Sequence, residues 1–185
     1  MAAKLTWLKE YDKDTWEYRG DDSSVRFVLG QVSGKNPLVC FGINPSKARP
    51  DLPDSTLIRV EKYAHINGFD GWVMLNIYPQ RATNPNDLHK AIDTDIHSNN
   101  LVQIANILQQ GNLRLWAAWG ANINRHSYLM KCLREIAKIS AVNSCKWVSL
   151  GKTKEGHPLH PLYRYEGFRL YETPLANFDM DKYLL

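Results

Sequence analysis

The stretch Pro-Leu-Val-Cys-Phe-Gly-Ile-Asn-Pro-Ser (37–46) decides the fold. Its seven uncharged residues read as a buried strand, and an asparagine-proline turn stops it. Three further runs behave in the same way: Gly-Trp-Val-Met-Leu (71–75), Leu-Arg-Leu-Trp-Ala-Ala (113–118) and Lys-Trp-Val-Ser-Leu (146–150). They break into Asn76-Ile77-Tyr78-Pro79, Trp119-Gly120-Ala121-Asn122 and Gly151-Lys152-Thr153, the last leading on to His157 and His160. Helix-like segments separate the runs, so parallel strands with crossover connections are expected. Ligands of open parallel sheets bind beyond the carboxyl ends of the strands, where these polar clusters fall.

Between the strands, Asp54 or Ser55 caps an expected helix with apolar face Leu57, Val60 and Ala64, ending at Asn67-Gly68. Thr83 or Asn84 caps a short helix with Pro85 at its first position. Ser98 opens the next, with Leu101, Ile104, Ala105 and Leu108 on one face and Gly111 as its stop. A helix near 126–138 carries Leu129, Cys132, Leu133 and Ile136 at the same spacing. The expected fold is α/β: a three-layer α/β/α sandwich with a central four-stranded parallel sheet, whose runs stand in the order 2-1-3-4. Small hairpins are expected at both termini, one from Trp16–Arg19 with Val25–Leu29 and one from Tyr163–Tyr165 with Phe168–Tyr171. A single domain, 1–185, then divides into an N-terminal extension (1–36), a core (37–165) and a tail (166–185).

The 185 residues, 44% hydrophobic and 23% charged, are enough for a real core without staples. No apolar run approaches the roughly 18 residues that span a membrane, and no secretory leader is evident, so a cytoplasmic protein is expected. Cys40, Cys132 and Cys145 form neither a disulfide framework nor a metal cluster. His157 and His160 are three apart, but Pro158 and Pro161 interrupt any helix and no further ligand set has metal spacing, so neither metal nor cofactor is expected. The formal charge of +4 permits a polyanionic partner, and five Lys/Arg against two Glu between Lys146 and Arg169 make that stretch locally basic.

Asn44 offers a carboxamide that can hold a water or read a base edge; the alternative is a simple turn. Pro45 and Ser46 share its turn. Asp54, Thr56 and Arg59 surround the following helix start, where capping alone also explains the aspartate. Asn76 either fixes its loop or contacts substrate, and Arg81 suits bidentate phosphate binding. Trp119-Gly120 pairs a π-face with a residue that allows close approach, and Tyr78 is a second aromatic candidate; both rings also suit a core. His160 suits hydrogen bonding to an oxygen that gains negative charge. No Gly-x-Ser-x-Gly elbow is present, and Cys40 lacks a histidine partner.

The order of these clusters resembles the uracil-DNA glycosylase superfamily. The matching features are Gly42-Ile43-Asn44-Pro45, then Asn76 in a proline-rich loop, Trp119-Gly120-Ala121, and His160-Pro161-Leu162. Ser46 stands where the mismatch-specific branch has glycine. More closely, the chain resembles a domain-of-unknown-function family of small bacterial and phage proteins. That resemblance rests on Asn44-Pro45-Ser46; Asp54, Thr56 and Arg59; Asn76 with Arg81-Ala82-Thr83 and Pro85; Trp119-Gly120; and His160-Pro161-Leu162-Tyr163, across roughly 26–165. The glycosylase resemblance implies that Asn44 positions a water and His160 steadies the departing base, flipped from its stack into the crevice. The implied activity is hydrolysis of an N-glycosidic bond in nucleic acid or a nucleotide. The alternatives are a non-catalytic nucleotide or nucleic-acid binding module and an enzyme of free nucleosides or nucleotides.

Overall fold

The computed structural model describes residues 16–21, 23–32, 34–164, 167 and 169–185. Its strands are β1 (Glu17–Gly20), β2 (Arg26–Gln31), β3 (Pro37–Gly42), β4 (Gly71–Asn76), β5 (Arg114–Ala117), β6 (Lys146–Ser149) and β7 (Ala176–Asn177). Its helices are α1 (Ser55–Ile66), α2 (Thr94–Leu108), α3 (Ser127–Val142) and α4 (Met180–Leu184), with 3-10 turns at Pro85–Asp87 and Gly120–Arg125.

All seven strands join one sheet in the order β1-β2-β4-β3-β5-β6-β7. β3 lies between β4 and β5 and pairs in parallel with both, and β5 pairs in parallel with β6. β1, β2 and β7 run antiparallel to their neighbours. The four parallel runs occupy the middle of the sheet in the order β4-β3-β5-β6, and antiparallel strands on both sides make it mixed and seven-stranded where a four-stranded sheet was expected. The physical reason is edge protection: β2 and β7 cover backbone groups that β4 and β6 would otherwise leave unpaired. Every residue of β3 and β4 is buried, as a strand covered on both faces requires.

Alternation along the strands feeds two apolar clusters. Val39, Phe41, Val73, Leu75 and Leu115 pack with α2 and α3 on one face. Leu38, Cys40, Trp72, Met74 and Trp116 pack with Leu57, Val60, Tyr63 and Ala64 of α1 on the other. Cys40 and Cys132 are fully buried, and burial pushes both thiols up, Cys132 to about 12, so neither is a thiolate at neutral pH. No helix among the described residues is long and apolar enough to cross a membrane.

Two boundaries differ from the sequence expectation. α2 starts at Thr94, capped by Asp93, whose Oδ1 accepts from the Asp95 and Ile96 amides. Ser98 lies inside the helix because the first turns bury His97 and Asn100, polar residues that conceal the apolar period. At the C-terminus, the tail forms β7 and α4. The expected hairpin across 163–171 falls partly on residues 165, 166 and 168, outside the described residues; the rest of that stretch forms no strand.

Gly30 shows how closely β2 is held. Its φ is +157°, and an added Cβ would stand 2.2 Å from the Trp72 carbonyl oxygen and 2.8 Å from Val73 Cα. Neither backbone atom can move without disturbing β4. Gly30→Ala is expected to cost about 2–3 kcal/mol of stability, read as a lower urea midpoint. A midpoint equal to wild type would contradict this packing.

Candidate functional site

A cleft of ≈ 210 Å³ opens at the carboxyl ends of the parallel strands. Its wall includes Asn44 and Ser46 after β3, Asp54 and Thr56 at the start of α1, Trp119 after β5 and His160 after β6. With Ala82, Thr83 and Pro85 after β4, the connections that follow all four parallel strands thus converge, because parallel strands deliver their carboxyl ends to one side. Gly42 and Met74 belong to the same lining.

The loops are fastened to one another by backbone hydrogen bonds. The Ile77 and Tyr78 amides donate to the Gly42 and Ile43 carbonyls, extending the β3–β4 pairing past the strands, and the Ala82 amide donates to the Pro45 carbonyl. Asn44 sits in this seam. Its Nδ2 donates to the Pro45 carbonyl at 3.0 Å and to the Ala82 carbonyl at 2.8 Å. Both amide hydrogens are thereby committed, and Oδ1 remains as the acceptor. Such an oxygen can take a hydrogen from water but cannot donate to anything.

His160 is fixed from three sides. The Leu162 amide donates to its Nδ1 at 3.1 Å, and the Tyr163 amide closes a turn onto its carbonyl. Arg59 Nη1 donates to the Pro161 carbonyl at 2.9 Å, tying α1 to this loop. An Nδ1 that accepts leaves the proton of a neutral imidazole on Nε2, making that atom a donor. Burial pushes the His160 pKa down, opposed by the Asp54 carboxylate and reinforced by Arg59, so the neutral ring is favoured.

Asp54 caps α1: its Oδ1 accepts from the Thr56 and Leu57 amides at 2.9 and 3.0 Å. Its Oδ2 accepts no hydrogen bond among the described residues.

Asn76 ends β4 opposite Gly42 and is fully buried, with both Nδ2 and Oδ1 lacking a hydrogen-bond partner among the described residues. It lies against the cleft floor, since a Cβ on Gly42 would stand 3.3 Å from its Oδ1 and 2.8 Å from Met74 Cε. Unpaired buried amides are rare because each lost hydrogen bond costs free energy; Asn76 itself stands behind Gly42 and Met74 and does not line the cleft.

The remaining sequence candidates fall around this centre. Pro45 is buried within the seam and its carbonyl serves Asn44 and Ala82. Gly120 has φ +63° and its backbone passes close to His160, where a Cβ would stand 3.8 Å from the His160 Cβ. Arg81 donates to the Tyr18 hydroxyl at 2.8 Å. Tyr78 is fully buried, its hydroxyl bonded to His89 Nδ1 and to the Asp93 amide, so it braces the wall from behind. Trp119 is 1% exposed, packed among Trp147, Phe178 and Tyr183. Tyr163 is exposed beside the His160 turn. His157 faces away from His160's role, bonding Tyr183 and Asn124.

Sequence reasoning missed Arg26, which also lines the cleft and is 3% exposed. β2 runs antiparallel to β4, so its first residue arrives where β4 ends. The signal was present: Arg26 shares a strand face with the buried Val28 and Gly30, an odd place for a solvated charge. Thr83 and Asn122 are two further polar lining residues outside the sequence candidates.

No curated protein and no solved structure matches the chain. A family model does match, over residues 26–162, a span that runs from Arg26 past His160 and so contains every residue described in the cleft wall. The chain belongs to that family, DUF1643, whose description is a protein of unknown function.

Proposed function

We propose that the cleft receives a nucleobase with its sugar and hydrolyses the N-glycosidic bond between them, on the uracil-DNA-glycosylase-like plan. The supporting observation is the fixed polarity of two groups on one cleft wall: Asn44 offers only an acceptor, and neutral His160 offers Nε2–H as a donor. The reaction needs that pair. Water held by Asn44 Oδ1 adds to the anomeric carbon as the carbon–nitrogen bond breaks, and the bonding electrons leave with the base. His160 Nε2–H donates to the base oxygen on which that charge collects. The proton released by water ends on the departed base. Asp54 supplies a negative charge for the oxocarbenium-like sugar, and its Oδ2 is available to take the water proton in passing.

The cleft volume of ≈ 210 Å³ is below that of most small-molecule sites, which suits one nucleoside unit and excludes a stacked pair. A base in a strand would have to be flipped out to enter.

The direct test is release of free base from DNA, RNA, nucleosides and nucleotides containing uracil or damaged bases. Release from at least one substrate is the expected result. Binding without release on every substrate would leave a binding module and sink the hydrolase.

The pH profile is a separate check. The His160 pKa lies below the ordinary 6.5, principally through burial. The neutral donor form therefore persists as pH falls through 6.5. Below the folded value, protonation places a hydrogen on Nδ1 against the Leu162 N–H, breaking that contact. Because the folded pKa is depressed, this group's contribution to stability is complete above 6.5 and is lost as pH falls below it. The rate of base release is expected to stay level down to pH 6.5 and to fall only on the acid side of it. An acid limb centred above 6.5 would contradict the assigned form of His160.

A further inference from the structure

We infer that Arg26 anchors a phosphate subsite within the cleft, so that the ligand is a phosphorylated nucleotide unit and not a free nucleoside. The identity of the rest of the ligand rests on the base-excision reading above; the anion subsite does not.

Arg26 is 3% exposed, yet its side chain makes one hydrogen bond among the described residues, from Nη1 to the Ala48 carbonyl at 3.0 Å. Its Nε is buried and unpartnered, and no carboxylate of the described residues lies within 4.0 Å of the guanidinium. A guanidinium has five N–H donors and does not give up its charge at neutral pH. Burying such a group without a counter-ion is unfavourable unless something supplies one. Burial lowers its pKa to about 10, still far above neutrality.

The surroundings favour an anion over a second carbonyl. Arg81 is near enough to repel Arg26, and Asp54 near enough to attract it, which leaves one positive charge in excess among these three. Ser46, Thr56 and Thr83 place hydroxyls on the same cleft lining, with Ser46 Oγ 3.5 Å from Thr83 Oγ1. A planar fork beside hydroxyl donors matches the tetrahedral oxygens of phosphate, which it can engage through two parallel bonds. Asn44 and His160 share the cleft, so one ligand can place its phosphate at Arg26 and its glycosidic bond between the other two.

Calorimetric titration with uridine, uridine 5′-monophosphate, inorganic phosphate and a 12-nucleotide single strand tests this at fixed salt. Wild type is expected to bind the monophosphate at least about 10-fold more tightly than uridine, with inorganic phosphate competing for the difference. Arg26→Met should abolish that preference. If Arg26→Met does not fold, Arg26→Lys keeps the charge without the fork and is expected to lose most of the preference. A monophosphate bound more tightly than the strand identifies a free nucleotide; tighter strand binding with a steep salt dependence identifies backbone phosphate. Equal binding of uridine and its monophosphate by wild type overturns the subsite, as does full retention of the preference in Arg26→Lys or a folded Arg26→Met. Base release measured alongside separates the two ideas. Phosphate preference without release keeps the subsite and sinks the hydrolase; release without phosphate preference does the reverse.

Discussion

Asn44→Ala and His160→Ala are each expected to slow base release by about 100- to 1000-fold while the protein remains folded. The estimate follows from removing one preorganised electrostatic partner of the reacting groups. For Asn44 the loss has two parts. The acceptor Oδ1 disappears, and so do the hydrogen bonds from Nδ2 to the Pro45 and Ala82 carbonyls that hold the two loops together. Those bonds are worth about 1 kcal/mol each, too little to unfold the domain, because backbone hydrogen bonds from Ile77, Tyr78 and Ala82 fasten the same seam. For His160 the donor Nε2–H is lost, and Nδ1 no longer accepts from Leu162. His160→Gln retains an amide N–H and is expected to recover part of the rate. Single-turnover kinetics on the released base, with circular dichroism as the control for folding, makes the comparison. Full activity in either folded alanine variant would remove that residue from the mechanism.

Asn44 stood out in the sequence because it ends an apolar run, and His160 because it follows in the proline-containing loop beyond the fourth run; the structure puts both on one cleft lining. The same logic exposed the strands: 37–42 and 71–76 carry no charge, and both proved buried along their whole length. Asp54 was legible as a cap because an aspartate three residues before an apolar helical period suits an N-cap, and it caps α1. Legibility failed where the local pattern carried the wrong chemistry. His97 and Asn100 occupy buried positions of α2 and disguise its first turns. β7 has two residues, Ala176 and Asn177, and exists only because β6 offers an edge. Arg26 was read only as part of a terminal hairpin strand: its place on a buried face was a local signal, but nothing local says that β2 pairs with β4 and brings its start to the cleft. Asn76 was seen as a loop anchor or a substrate contact, but its unpaired amide is a property of tertiary packing and cannot be read from neighbours in sequence.

Trp119→Ala is expected to cost about 3–5 kcal/mol of stability, which in a domain of this size lowers the melting temperature by about 6–20 °C. The sequence left two uses open for this ring, stacking on a base or filling the core, and they make opposite predictions. A stacking platform must present an open face; Trp119 is 1% exposed, with ring centroids of Trp147 and Phe178 at 5.6 and 5.9 Å, both edge-on. Its Nε1–H donates to the Tyr183 hydroxyl at 3.1 Å, and that hydroxyl also meets His157 Nδ1 at 2.8 Å. Truncation would therefore open a cavity under the cleft and remove one support of the α4 contact, while the polar groups of Asn44 and Asp54 on the far loops stay in place. Trp119→Phe refills most of the volume without the indole donor and should recover the greater part of the lost stability. Thermal unfolding of both variants decides between the two uses. An alanine variant that melts with wild type but binds nucleotide poorly would return Trp119 to a stacking role. A variant that melts early, and binds normally below its transition, places the ring in the core as a wall of the cleft.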